Sequence, residues 1–293
     1  MNLQLEFRER PSIAAYMLRA FYPSLGLRKA NVFPPISARW IGHRVDRPQF
    51  ESFLELTGLR AGPGLPMLYP HVFGFPLQMV ILTHPRFPMP IWGALQIRNH
   101  LLQHRTIAEN AVIDIHTRVA DQRILDKGAE VDLHTTVHAH GELAWESLNT
   151  FYYRGRFGKS TKPSALAVAP NAGETVIATW RSPSAIGLRF GGFTGDYNGI
   201  HCWDGYARIF GFRRAFHHPQ CVLAQCMAHL PAPAPNEPQR LDAWLKGPVH
   251  YDSELQLRAA VSENGATFAV VADREQRPAI VGRWHSVPAS ERL

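Results

Sequence analysis

Two apolar segments, each led by a proline, set the limits on this fold. FPLQMVIL (75–82) is apolar almost throughout, opens with Pro76 and runs into THP, the pattern of a buried helix with proline in its first turn. HPQCVLAQCMAHLP (218–231) has the same make-up, with Pro219 at its start and Pro231 just past its end. Each is followed by short segments that alternate in polarity or are rich in β-branched residues. The chain therefore reads as an approximate internal duplication of an α+β unit, one helix and then an antiparallel series, far too long in period for a solenoid. Order alone also fits two unrelated α+β halves.

In the first half, residues 37–44 (SARWIGHR) read as a short strand. Residues 47–57 (RPQFESFLELT) read as a helix with Phe50, Phe53, Leu54 and Leu56 on a partly one-sided apolar face. Strands are expected over 94–104, 111–119, 130–140 and 142–154, joined by turns containing DKG and HG. In the second half a strand is expected over 186–193 (IGLRFGGF), then the 218–231 helix, then strands over 240–249, 254–262, 267–275 and 279–286. The organisation that follows is an N-terminal leader (1–36), a first unit (37–154), a linker and entry segment (155–185) and a second unit (186–293).

At 293 residues and 45% hydrophobic, the chain is long enough for one large or two ordinary domains, each with a core of its own. The three cysteines, Cys202, Cys221 and Cys226, form no C-x-x-C pair, so neither a disulfide framework nor a zinc ribbon is supported and a reducing compartment fits. Cys221 and Cys226 read as small buried hydrophobes on an apolar helix. Glu6, Arg8, Glu9, Arg10 and Arg19 interrupt the first residues, which lack the uncharged core of a signal peptide. No other segment approaches the roughly twenty apolar residues of a membrane span, so a soluble, cytoplasmic protein is expected. The net charge of +7 is dispersed, densest at RGR (154–156) and at Arg213-Arg214. With no basic helix and no aromatic RNA-binding signature, a nucleic-acid partner is not expected.

GRFGKST (155–161) invites a phosphate-loop reading, but the place of the loop's first glycine is Tyr153 and no parallel strand and helix flank it. His134, His138 and His140 share parity on an expected strand, which suits either a metal site or a solvated polar face; no carboxylate or cysteine is placed to complete the former. No G-x-S-x-G elbow marks an activated serine. What remains is FTGDYNGIHCWDGYA (193–207), which sets Asp196, Asn198 and His201 within six residues among glycines and aromatics. A plain turn needs neither an acid nor an imidazole.

Gly195, Asp196, Asn198, Ile200, His201, Tyr206 and Ala207 together resemble the signature of the MaoC-like enoyl-CoA hydratases and 3-hydroxyacyl thioester dehydratases, G-D-x-N-P-[ILV]-H followed by a short Tyr-Ala helix. The resemblance implies a double hot-dog fold, two repeats of a curved antiparallel sheet wrapped around a central apolar helix. It implies reversible hydration of a 2-enoyl thioester, carried on CoA or an acyl-carrier protein, in fatty acid metabolism and without a cofactor. Asp196 and His201 would hold and activate one water, and Asn198 would orient the loop or the water. Two positions depart from the signature. Gly199 stands where proline is usual, and His217-His218-Pro219 stands where A-H-G usually opens the central helix. Proline has no N–H to donate to the thioester carbonyl, which leaves the backbone N–H of Gln220 or another at that helix start.

The first half shows no Asp-x4-His counterpart and is expected to keep the fold without the catalytic segment, its space forming an acyl tunnel. Phe50, Phe53, Tyr69, Phe73 and Phe75 are the candidate lining residues, with ordinary core packing as the alternative. Arg213 and Arg214 are candidates for meeting the phosphates of the CoA or carrier arm, or a solvated positive surface. A homodimer is open. A catalytically silent acyl-thioester-binding or scaffold protein and a hot-dog thioesterase remain as alternative functions.

Overall fold

Residues 3–22, 33–233, 237–273 and 275–293 are described in a computed structural model. Part of the expected leader (1–2 and 23–32), three residues of the proline-rich loop (234–236) and residue 274 of the expected 267–275 strand lie outside them. In chain order, the described elements open with β1 (Leu3–Phe7), α1 (Ile13–Arg19), β2 (Ile36–Arg44), α2 (Arg47–Thr57) and α3 (His71–Leu82). Four long strands follow: β3 (Ala94–Gln103), β4 (Val112–Leu125), β5 (Gly128–Ala139) and β6 (Glu142–Arg154). The second half holds β7 (Val176–Arg181), α4 (Gly187–Thr194), α5 (Asp204–Ile209) and α6 (Pro219–His229), then β8 (Gln239–Leu245), β9 (Glu254–Ser262), β10 (Gly265–Ala272) and β11 (Ile280–Ser286).

The strands form one sheet in the order β1-β2-β4-β5-β6-β3-β8-β11-β10-β9-β7. Only β1 pairs in parallel, with β2; the other pairings are antiparallel. The two halves meet where β3 pairs with β8, from Arg98 opposite Trp244 to Gln103 opposite Gln239. Across that seam the buried Asp242 carboxylate accepts from His100 Nδ1 (2.7 Å), Arg240 Nε (2.9 Å) and Arg283 Nη2 (2.8 Å).

Helix α3 packs on β2, β4 and β5, and all twelve of its residues are buried. Its low polarity is what a helix enclosed on every side requires, and the loss of water from Leu77 and Ile81 contributes about 1.5–3 kcal/mol each. The helix begins at His71, behind Pro70, so Pro76 lies in its second turn rather than its first. There the ring removes the N–H that would bond the Val72 carbonyl, and burial of the whole helix offsets that loss. Helix α6 holds the matching place in the second half, with Cys221, Val222, Leu223, Ala224 and Cys226 inaccessible and Pro219 at its first position.

The expected strand over 186–193 is a helix. On a strand, Leu188 and Phe190 would share a face, yet Leu188 is 52% exposed and Phe190 1%. Gly187, Phe190, Gly191 and Thr194 are buried at three- and four-residue spacing, the helical period. The segments read as leader and linker also carry elements: β1 and α1 in the former, and β7, paired with β9, in the latter.

Candidate functional site

The 193–207 loop is held by its own short polar side chains. Helix α4 ends at Gly195, which takes the left-handed conformation (φ 82°) that glycine adopts without steric cost. The Thr194 hydroxyl then accepts from Asp196 N (3.1 Å), Asp196 Oδ1 from Asn198 N (3.2 Å), and Asn198 Oδ1 from Ile200 N (3.3 Å). These side-chain turns replace backbone ladders and lead into a single 3-10 turn, Gly199–His201. Asn198 is thus a loop-builder. Gly199 supplies room, since a Cβ there would lie 2.7 Å from the Tyr206 ring. Asp204, at the start of α5, accepts from Ala215 N (2.9 Å) and closes the loop onto the strand-like segment before α6.

His201 Nδ1 lies 2.9 Å from the Phe216 carbonyl. A carbonyl only accepts, so the proton sits on Nδ1 and Nε2 keeps its lone pair. The His201 ring stacks on His218 with centroids 3.9 Å apart, and His218 Nε2 donates to the Asp196 carbonyl (3.0 Å) while lying 3.7 Å from the Asp196 carboxylate. Burial raises the Asp196 pKa; the positive form of His201 and the Asn198 N–H oppose the rise. Burial lowers that of His201 against the pull of Asp196 and the Phe216 carbonyl. It holds His218 well below the usual histidine range, with repulsion from His201 adding to the effect. The two shifts bring an acid and a base toward each other in proton affinity.

Donor atoms of Asp196, His201 and His218 lie within 4.8 Å of one another. One nitrogen of each stacked ring already donates to a carbonyl, which leaves the other nitrogen of each ring with its lone pair. The same arrangement suits proton transfer. Of the three histidines of shared parity, His134 Nε2 bonds Glu146 (2.7 Å) and His140 falls in the turn after β5, and the three do not converge.

Asp196, Asn198 and His201 open onto a cavity of about 120 Å³ whose wall includes Pro219 and Gln220 at the start of α6. Most of its apolar part comes from the first half: Phe75 and Met79 on α3, Ile91, Trp92 and Leu95 before and on β3, Met17 on α1 and Ala20 at the C-terminal cap of α1; Ile200, Phe216 and Pro219 add the rest from the second half. The N–H groups of Cys221 and Val222 reach the His218 carbonyl (3.0 and 3.4 Å), whereas that of Gln220 has no acceptor among the described residues. The Gln220 side chain donates to Gln96 Oε1 (2.5 Å), which fixes the helix start against β3.

Of the five expected lining residues, Phe75 alone faces this cavity. Phe50, Phe53, Tyr69 and Phe73 pack edge to face with centroids 4.8–5.1 Å apart, and Phe53 also packs on Phe190 and Phe193 of α4. They form the floor on which the loop stands. Arg213 is exposed and Arg214 half-buried, and neither lines the cavity. An adjoining groove of about 280 Å³ shares Leu95, Gln96, Phe216 and Pro219 with it and carries Lys246, a cation the sequence reading passed over. Met17 and Ala20 were also missed, although Ile13, Tyr16, Met17 and Ala20 have helical spacing.

No protein-family model matches the chain. The 3-hydroxyacyl-thioester dehydratase X of Mycobacterium tuberculosis is 29% identical over 192 residues, 66% of this chain and 69% of that protein. The crystal structure of HtdX from the same organism superposes with a TM-score of 0.72 at 24% identity, covering 86% of this chain and 100% of that one. A MaoC-like dehydratase from Phytophthora capsici gives 0.66 at 16% identity, covering 89% and 97%. A Mycobacterium tuberculosis protein described as a double hot-dog gives 0.54 at 13% identity, covering 90% and 98%.

Proposed function

We propose, for a chain that shares the double hot-dog fold of the MaoC-like dehydratases and resembles one of them along two thirds of its length, that it is a hydratase and dehydratase of acyl thioesters. The observation that carries the reading is that Asp196 and His201 line one cavity together with mostly apolar side chains. A single water held between the carboxyl group and His201 Nε2 faces an acyl chain laid along Phe75, Met79 and Leu95. As the water oxygen bonds to the β-carbon of a 2-enoyl thioester, one of the pair takes the water proton. The electron pair of the double bond moves toward the thioester carbonyl, and the other member gives a proton to the α-carbon. The pair works with one proton shared between its members, and dehydration of the 3-hydroxyacyl thioester reverses each transfer. The negative charge that develops on the thioester oxygen meets the Gln220 N–H at the positive end of α6. Lys246, in the adjoining groove, is placed to meet an anionic group of the carrier arm.

The test is spectrophotometric hydration of crotonyl-CoA and longer 2-enoyl-CoAs by the wild type, Asp196→Asn and His201→Ala. Removing either transfer group is expected to lower kcat by about 10²–10⁴. Undetectable wild-type hydration, with the thioester still bound, would identify a silent binding protein instead, and full activity in both variants would end the assignment of the pair.

A further inference from the structure

Asp196 follows the C-terminal end of α4, where the last carbonyls of a helix have no partner within it. Two of these carbonyls are taken by residues about 180 positions away in sequence. Arg10 Nη2 donates to the Phe193 carbonyl (2.7 Å) and the Tyr16 hydroxyl to the Gly195 carbonyl (3.0 Å). Tyr16 is fully buried, and that burial raises its pKa, so the hydroxyl stays a neutral donor. The fit leaves no slack, since a Cβ on Gly195 would stand 2.2 Å from the Tyr16 oxygen. Any shift of the Gly195 peptide moves the Asp196 backbone to which it is joined. One and four residues beyond Tyr16, Met17 on α1 and Ala20 at its C-terminal cap line the wall of the same cavity as Asp196, Asn198 and His201. The end of the segment is fixed by Phe21, whose ring packs on Trp92 of that wall with centroids 5.1 Å apart.

We propose that the N-terminal segment is a working part of the site: Tyr16 and Arg10 are positioning residues for the Asp196 loop, and Met17 and Ala20 limit the length of acyl chain the cavity accepts. The proposal rests on the hydratase reading of the cavity. Tyr16→Phe, which keeps the ring and deletes only the donor, is expected to lower kcat about tenfold or more while KM changes less than twofold. Arg10→Gln should act in the same direction, with Arg10→Lys restoring part of the rate. Met17→Ala should shift the preference in kcat/KM toward longer 2-enoyl chains and Ala20→Phe toward shorter ones. Unchanged kcat in Tyr16→Phe and Arg10→Gln, or an unchanged chain-length profile in the cavity variants, would overturn the proposal. Thermal melting separates these effects from loss of fold. If the wild type hydrates nothing, the hydratase reading fails, and NMR of the His201 ring decides the clasp by itself. A ring signal displaced in Tyr16→Phe supports the proposal, and one that is unmoved overturns it.

Discussion

The start of α6 offers a test in which one backbone hydrogen decides the outcome. Pro219 has no N–H, and those of Cys221 and Val222 turn back to the His218 carbonyl, so among the described residues Gln220, which lines the cavity, has the N–H without an acceptor at this helix start, and the proposed mechanism gives it the oxyanion. Gln220→Pro deletes that donor, and a proline in the first turn costs the helix no bond it was making. Gln220→Ala keeps the N–H and loses only the side-chain bond to Gln96. Loss of a single donor to a developing oxyanion costs about 2.7–4 kcal/mol, or about 10²–10³ in kcat. Steady-state hydration kinetics on both variants should therefore show Gln220→Pro lower by that factor relative to Gln220→Ala, with KM little changed. The tandem proline restricts the residue before it, so melting temperatures accompany the kinetics. A proline variant that stays folded and within about threefold of the alanine variant would refute the argument that this N–H polarises the carbonyl.

Acid should unfold the protein earlier than its carboxylates alone would require. Burial holds His71 at a pKa of about 4 and His217 at about 3, against 6.5 in the unfolded chain. The unfolded state therefore binds more protons below pH 6.5, and the stability present at neutral pH is lost as pH falls through that value. By pH 5 the two together cost about 4 kcal/mol, a large part of an ordinary domain's stability. Denaturant melts at pH 7.5 and 5.0 check this, and His71→Leu should remove about half of the loss; equal stability at the two pH values would contradict it. Gly195→Ala should be destabilised by at least about 1–2 kcal/mol from the left-handed backbone alone and should lose activity as Tyr16 is displaced. A variant with wild-type kcat and melting temperature would show that the glycine serves neither purpose.

What could be read directly was local. Asp196, Asn198 and His201 lie within six residues, and the side chains of Thr194, Asp196 and Asn198 build the turn between them, so its backbone was local, whereas the His201 ring depends on Phe216 and the Gly195 carbonyl on Tyr16. Helix α2 and strand β9 matched their apolar periods residue for residue, from Arg47–Thr57 and Glu254–Ser262. What escaped depended on distant partners. Helix α4 was mistaken for a strand because an eight-residue stretch with three glycines holds too little side-chain pattern to separate the two periods. Strands β1 and β7 are short edge strands whose pairing depends on β2 and β9, far away in sequence. Which phenylalanines face a cavity and which face each other is likewise a matter of tertiary packing: Phe50, Phe53, Tyr69, Phe73 and Phe75 are alike in sequence, and one of them meets the site.

The seam between β3 and β8 also frees the protein from symmetry. A pair of identical hot-dog units must copy every substitution into both partners, so a residue that improves the wall of one site also alters the catalytic loop's surroundings in the other. Here the loop belongs to one half and most of the apolar wall to the other, joined within a single sheet. Changes at Phe75 or Met79 can retune what lines the cavity without being copied into the surroundings of Asp196 and His201.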